Sequence, residues 1–426
     1  MNLSLGYKQK YVFGSDYGTS YFKFGPISCG EEPKMIENRG YFPDKESIMQ
    51  KTFGTIKEIV VGDEIPLYLQ ASEDLSSRLI YPMKNGVIEK NDEKAWSVVK
   101  EISYYGLSYF KPAEPEFKGF YLVASLSSVA PRYMYERLFQ IYKEINDETE
   151  LIKAATIIPQ PLAVAIAHKI TTCVVIESGH GNTQVCPISR YPIRNAIVAI
   201  NRGGGDANAI TTEILKDLGY SDLVHEETFV IKAKESLGLI PRDLEKAIEF
   251  AKKNPKKFKA HVKIPGTRIS IDLEENTWVR FLIGEYVFDP NHEIFQSYFI
   301  RGMPKPKDVR IGDIVFRGML DFGESIIEAV ERGPIELHPH LYRELLLSGG
   351  NFCWATPPES LSDIAVDAST KMKLLLRKKG ITNVKVNIAS MPQYSVWRGC
   401  VIYGFAVPED YSWGWERMEG WVFFDR

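Results

Sequence analysis

Asp16-Tyr17-Gly18-Thr19-Ser20 sets one carboxylate just before a short glycine-bearing turn, and Lys23 brings a cation back on the returning side. With glycine free to take positive φ, successive backbone N–H groups in such a turn can point into one concavity that suits a phosphate oxygen. Each N–H donated to a charged oxygen contributes on the order of 1.5–3 kcal/mol. Asp16 cannot usefully face phosphate, so its part would be to hold Mg2+ through water, since that ion keeps much of its hydration shell. An acidic hairpin turn with no ligand has the same composition, so both readings stand at this point. The pattern returns at Glu177-Ser178-Gly179-His180-Gly181-Asn182. Two such nests could clamp a polyphosphate from both sides. Arg202-Gly203-Gly204-Gly205-Asp206 precedes an apolar helix pattern, where backbone can approach a ligand and Asp206 can accept from a sugar hydroxyl; a plain helix-leading loop is the rival. Ser348-Gly349-Gly350-Asn351 follows the apolar Leu345–Leu347 and admits a flat base, with Trp354 as a stacking surface, or is simply a structural turn.

These groups need elements to carry them. Tyr11 to Ser28 reads as a β-hairpin, with β-rich residues on either side of the polar turn and Pro26 closing it. Cys173 to Ser189 reads as a second. Laid over each other without a gap, the two match at Asp16 with Glu177, Gly18 with Gly179, Pro26 with Pro187, Ile27 with Ile188 and Ser28 with Ser189, always 161 positions apart. Chance or a duplicated unit explains that; duplication implies two similar lobes. Lys94–Phe110 and Met134–Ile145 carry helical apolar spacing, and Phe120–Ala124 reads as a buried strand, so the core is α/β. Thr211–Leu218, Val230–Leu237 and Leu244–Lys252 form a helical, lysine-rich region. Lys252–Lys257 marks a loop, read as a solvated helix end rather than a polyanion site given the acidic total; Met303–Lys307 is a proline-broken connector, and Leu345–Leu347 a buried strand.

Composition removes several function classes. The 426 residues are 44% hydrophobic and 25% charged, with a formal net charge of -3, so no global basic field exists to hold nucleic acid. Five scattered cysteines, none in CxxC spacing, argue against a disulfide framework or thiolate zinc site and for a reducing cytosol. The start of the chain lacks a signal-like apolar core, and prolines and polar residues break the apolar stretch from 154 to 170, so neither secretion nor a membrane span is expected. His338 and His340 flank a proline and lack helical metal-ligand spacing; no HExxH, GxSxG or GxxxxGK[ST] string occurs. Phosphate binding, if present, must use hairpins.

Paired acidic-glycine hairpins with a glycine-glycine adenosine turn resemble the superfamily of actins, heat-shock chaperones and sugar kinases. Within it, Val61-Gly62-Asp63-Glu64, Tyr81–Ile88 with Trp96, Leu347–Gly350 and Tyr394-Ser395-Val396-Trp397-Arg398-Gly399 resemble actin motifs, covering nearly the whole chain. Asn201–Gly204, Phe288–Glu293 and Pro392–Gly399 look like the crenactins, the archaeal branch of that family. The resemblance implies an α/β actin-like ATPase fold: two ribonuclease H-like lobes closing on a nucleotide cleft, in four subdomains. These would be 1–37, 82–167 and 395–426; 38–81; 168–203 and 302–394; and 204–301.

Carried over residue by residue, Gly18, Thr19, Ser20 and Tyr21 would give backbone donors to ATP or ADP, Lys23 a side-chain contact, and Gly179, His180, Gly181 and Asn182 the matching contacts from the other lobe. Asp16 and Glu177 would order the waters around Mg2+. Asp206 would meet the ribose, Lys234 and Glu235 the adenosine edge through a one-residue gap, and Gly349, Gly350, Asn351 and Trp354 the base, with Gly204 letting the backbone approach the nucleotide. Gln160 would orient the attacking water. Conventional actin has aspartates at the positions of Glu177 and His180 and a water-positioning histidine at that of Gln184. Phosphoryl transfer needs positioning and charge stabilisation more than a covalent nucleophile, so slow hydrolysis, rising on assembly, is the expectation. The implied setting is a cytoplasmic cytoskeleton, with self-association into a homopolymeric helical filament and filament-binding proteins as partners, and neither nucleic acid nor membrane. Residues 38–57 would supply a mobile contact loop, and Glu293–Arg310, with Phe295, Tyr298, Phe299 and Ile300, an inter-strand plug; a buried helix end is the rival for those aromatics. A non-polymerising actin-related subunit using nucleotide structurally is the second reading, and a sugar or acetate kinase a third that the Tyr394–Gly399 stretch disfavours.

Overall fold

A computed structural model describes residues 6–44, 57–69, 78–264, 269–355 and 357–424. The chain divides into two compact units, Met1–Ile170 with Tyr394–Arg426, and Thr171–Gln393.

The first unit is built on a six-stranded sheet in the order Val422–Phe423, Ile152–Pro159, Phe120–Leu126, Val12–Tyr17, Tyr21–Pro26, Lys34–Glu37. Val12–Tyr17 is buried along its whole length, as a strand flanked on both edges and covered on both faces must be. It runs antiparallel to Tyr21–Pro26 and parallel to Phe120–Leu126. The intervening helix Glu93–Tyr109 starts where Asp92 accepts from the Ala95 N–H at 2.9 Å, and buries Trp96, Val99, Ile102 and Leu107. Pro161 in the first turn suits helix Gln160–Ala167, because that turn has no intrahelical acceptor for its N–H. Helix Ser395–Ala406 packs so closely on this one that a Cβ at Gly399 would run into the Ala163 carbonyl. Trp397 donates to the Gly25 carbonyl at 3.2 Å, and its indole fills the space a side chain at Gly14 would need. The Tyr394–Gly399 motif thus clamps the Gln160 helix and the first hairpin together.

The second unit carries the sheet Val309–Ile311, Ile314–Arg317, Val198–Ile200, Thr183–Ser189, Thr172–Ser178, Leu345–Ser348, Val386–Ile388, with Tyr191–Pro192 beside Thr183–Ser189. Helices Gly204–Asp217, Glu227–Leu237, Leu244–Lys253 and Val279–Phe288 share an apolar core that includes Ile214, Phe229, Ile248, Phe281 and Tyr286.

Both hairpins and the expected helices and strands form, with boundary changes that have physical causes. The helix expected from Thr211 starts at Gly204, because the Asp206 carboxylate reaches back to accept from the Gly203 N–H at 2.9 Å, while the Asp206 N–H donates to the Gly203 carbonyl, an N-terminal closure that apolar spacing does not display. Lys252–Lys257 is the solvated helix end expected: helix Leu244–Lys253 stops at Asn254, and the chain enters a 3-10 turn, Pro255–Phe258, anchored by buried Phe258. In Glu293–Arg310, Phe295 and Tyr298 are buried on helix Ile294–Ile300, whereas Ile300 is 85% exposed. Positions 45–56 of the expected contact loop lie outside the described residues. Among the described residues no helix is long and apolar enough to cross a membrane.

Candidate functional site

The two hairpins agree in register as well as in sequence. Asp16 pairs with Lys23 across the first ladder and Glu177 with Gln184 across the second. Gly18 N–H donates to the Tyr21 carbonyl at 3.0 Å, and Gly179 N–H to the Asn182 carbonyl at 3.0 Å. Each first strand is flanked on its other side by a parallel strand, Phe120–Leu126 in one unit and Leu345–Ser348 in the other. Each hairpin position named here has its counterpart 161 residues on, whereas the flanking parallel strands do not keep that spacing.

The turn bonds correct one detail of the expected nests. Gly18 and Gly179 spend their N–H groups inside the turns, so neither is a donor to a ligand in this state. Neither glycine has positive φ; a Cβ at Gly18 would sit 2.8 Å from the Tyr21 carbonyl, while Gly179 has ordinary room. The next two N–H groups in each turn, Thr19 and Ser20 in the first, His180 and Gly181 in the second, donate to no acceptor among the described residues. Two adjacent open N–H donors suit an oxyanion, and the carboxylate beside them suits a cation that would offset its charge.

In the first unit, Asp16 is 2% exposed. It accepts from Lys23 Nζ at 3.0 Å, Gln160 Nε2 at 3.0 Å and Ser125 Oγ at 3.1 Å. Gln160 Nε2 also reaches the Tyr17 carbonyl at 3.3 Å. Behind the turn, the Tyr142 hydroxyl donates to that of Tyr17 at 3.0 Å, and the Tyr17 and Ser103 hydroxyls share a bond of 2.6 Å. Burial pushes the Tyr17 phenol up to about 12, so it stays neutral. Asn38 Nδ2 holds the Gly18 carbonyl at 2.7 Å, and Thr19 Oγ1 accepts from Gly86 N–H at 3.1 Å.

In the second unit, Gln184 Nε2 donates to Glu177 at 3.2 Å, with both side chains buried. The turn is fastened to the glycine loop: Gly204 N–H donates to the Gly179 carbonyl and Gly205 N–H to the His180 carbonyl, each at 2.9 Å. A Cβ at Gly203 would lie 2.5 Å from the His180 carbonyl, so only glycine allows this contact. Asn351 Nδ2 donates to the Gly179 carbonyl at 2.7 Å and to Ser178 Oγ at 2.9 Å. Burial, reinforced by the Lys234 ammonium, lowers His180 to about 4, leaving a neutral imidazole at pH 7. Burial also raises the Asp206 carboxyl and lowers the Lys234 ammonium. Lys234 Nζ reaches the Gly204 carbonyl at 3.4 Å.

The second unit therefore gathers Gly179, His180, Gly204, Asp206, Lys234 and Asn351 into one network of contacts, with the Glu177–Gln184 pair on the strands that lead into and out of the turn and Gly181 within it. Gly349 joins it: at φ +100°, a Cβ there would strike the Ser178 carbonyl. Trp354 packs on Gly238 at the end of helix Glu227–Leu237, with its buried Nε1 lacking an acceptor among the described residues. Glu235 is not drawn in; it pairs with Lys232 on an exposed helix face at 2.7 Å. Asp206 caps its own helix, and Asn351 braces the second turn, so both already have structural duties. Ser125, Asn38 and the Tyr17–Ser103–Tyr142 group escaped sequence reasoning, because they reach the turn across sheet and helix contacts of high sequence separation.

Comparisons with known proteins agree with this architecture. The sequence profile of the family described as Actin matches residues 15–407. The chain is 24% identical over 331 residues to the Actin-like protein of Neurospora crassa, covering 76% of this chain and 74% of the relative. It is 25% identical over 301 residues to Actin-related protein 3 of Saccharomyces cerevisiae, covering 69% of this chain and 59% of the length of that protein. Identity is 22% over 367 residues to Actin-related protein 2 of Schizosaccharomyces pombe, covering 84% and 82%. With its two matched hairpins and a profile match over most of its length, the chain belongs to the actin family.

Proposed function

We propose that this protein binds ATP or ADP together with Mg2+ and hydrolyses ATP slowly. The observation that carries the reading is the repeated turn: two open N–H groups beside a buried carboxylate, at equivalent positions of two hairpins. Thr19, Ser20, His180 and Gly181 would donate to phosphate oxygens, with Lys23 adding a cation; Tyr21, Asn182 and Gly350 complete the set by resemblance. The donor chemistry fits the metal, since Asp16 and Glu177 are oxygen ligands of the kind a hydrated Mg2+ accepts. When bound, that ion would neutralise charge on the phosphates.

Gln160 has its Nε2 on Asp16 and Tyr17, so its amide oxygen would be the atom that orients the attacking water. None of these groups is a strong base, which suits slow turnover. Calorimetric titration tests the binding: ATP with Mg2+ should bind, and Thr19→Pro with Gly181→Pro, which delete two donors, should bind far more weakly. No heat from ATP with Mg2+ would defeat the proposal.

Two assembly states fit this site. A homopolymeric filament follows from the motif resemblance, and the archaeal branch rests on Asn201–Gly204 and Pro392–Gly399. The names of the relatives, Actin-related proteins 2 and 3, favour the other reading, an actin-related subunit that uses nucleotide structurally. Sedimentation with ATP and Mg2+ over a range of concentrations separates the two: pelleting supports the filament, and a monomer at every concentration supports the subunit.

A further inference from the structure

Arg202 stands at the head of the glycine loop, yet its side chain leaves the loop and is fully buried. Nε donates to the Val287 carbonyl at 3.1 Å, Nη1 to Gly318 at 2.7 Å and Nη2 to Leu320 at 2.9 Å. Its own carbonyl accepts from Thr183 Oγ1 at 2.9 Å, in the second hairpin. Next to it, Asn201 Nδ2 donates to the Lys307 carbonyl at 2.8 Å. Gly318 N–H in turn donates to Asp308 at 2.8 Å. One unbroken set of bonds therefore joins the second turn, the glycine loop and the segment from 303 to 320.

The same segment is tied at a second place. Helix Gly204–Asp217 begins in the glycine loop and ends at Asp217, whose carboxylate accepts from Arg301 Nη1 at 2.6 Å and Nη2 at 3.0 Å. Arg301 follows Ile300, the most exposed large apolar side chain among the described residues. A planar guanidinium meeting three carbonyls in three directions has a geometry that an ammonium cannot reproduce. The loop cannot shift without moving those carbonyls or leaving buried donors unmet.

We propose that Arg202 is a positioning residue that makes occupancy of the glycine loop and the order of residues 303–320 depend on each other. A ligand on the loop stiffens the hairpin Val309–Arg317, and anything seated on that segment tightens the loop, as reciprocal linkage demands. The inference rests on the nucleotide reading above.

Hydrogen–deuterium exchange on the full chain, with and without saturating ATP and Mg2+, tests it. The wild type should gain protection at both turns and across 303–320. Arg202→Lys, at a nucleotide concentration that saturates it, should keep the gain at the turns and lose it across 303–320. Protection at the turns alone in the wild type, or an undiminished gain in Arg202→Lys, overturns the proposal. If Arg202→Lys does not fold, Asn201→Ala replaces it and should show part of the same loss; an unchanged gain overturns the proposal equally. A flat calorimetric titration with no protection anywhere overturns both this inference and the nucleotide reading, and is thereby told apart from failure of the linkage alone.

Discussion

Replacing Asp16 by Asn separates the two duties of that carboxylate. Oδ1 accepts from Gln160 and Ser125, whereas Oδ2 accepts from Lys23. Asn can keep the Oδ1 bonds, but it sets an NH2 group against the Lys23 ammonium. A hydrogen bond to a charged group contributes about 1.5–3 kcal/mol, and breaking a buried pair costs up to about 3–5 kcal/mol. The Lys23 side chain is 18% exposed, so water recovers part of the loss and the low end applies. Without nucleotide, the first unit should therefore lose about 2 kcal/mol, read by hydrogen exchange at the Val12–Tyr17 amides. The magnesium effect is separate. A carboxylate offers about four lone-pair sites. The three protein donors leave it capacity for one water of a hydrated ion. Losing that charge-assisted contact should cut the Mg2+-dependent gain in ATP affinity by about tenfold or more, since about 1.4 kcal/mol is a factor of ten. Calorimetry with Mg2+ against EDTA measures it. An Asp16→Asn protein that keeps the wild-type Mg2+-dependent gain would refute the metal role, whatever its stability.

Adjacent glycines should behave differently. Gly349→Ala forces positive φ on alanine and drives Cβ into the Ser178 carbonyl, at a cost of about 1–3 kcal/mol or more. Gly350→Ala meets open space and should stay within about 0.5 kcal/mol of wild type while weakening ATP binding; equal stability losses in denaturant would contradict this. His180 sets a pH dependence. Its folded value of about 4 lies below the usual 6.5, so the unfolded chain takes up the proton first and stability falls as pH drops through that window. Relative to His180→Gln, wild type should lose roughly 3 kcal/mol between pH 7 and 4, at 1.36 kcal/mol per unit. Asp206, raised by burial, acts with the opposite sign but in both proteins, and a pH-independent difference would rule the reasoning out. A double-mutant cycle of Tyr17→Phe with Tyr142→Phe should show coupling of about 0.5–3 kcal/mol in urea unfolding. Zero coupling would mean that the hydroxyl pair does not brace the first turn.

Local chemistry made much of this molecule readable in one dimension. The β-rich runs around Asp16 and Glu177, the glycines between them and the constant 161-residue spacing identify two equivalent hairpins, because strand, turn and return all lie within eighteen residues. Apolar periodicity likewise locates the helices from Glu93 and Arg132. What the turns can donate was not readable that way: whether Gly18 N–H faces a ligand or the Tyr21 carbonyl depends on which hydrogen bond closes the turn. Nor could the chain order show that Asn351 would brace Gly179, that Gly399 would let two helices touch, or that Arg202 would turn from its loop toward Gly318 and Leu320. Sequence alone determined the hairpins and their carboxylates, since those follow from neighbouring residues. Tertiary structure decided how the turns close and what braces them. The closing bonds, Gly18 to Tyr21 and Gly179 to Asn182, are short-range but set by backbone geometry. The braces, Asn351 on Gly179, Gly399 against Ala163 and Arg202 on Gly318 and Leu320, join residues more than a hundred positions apart, and only packing brings them within bonding distance.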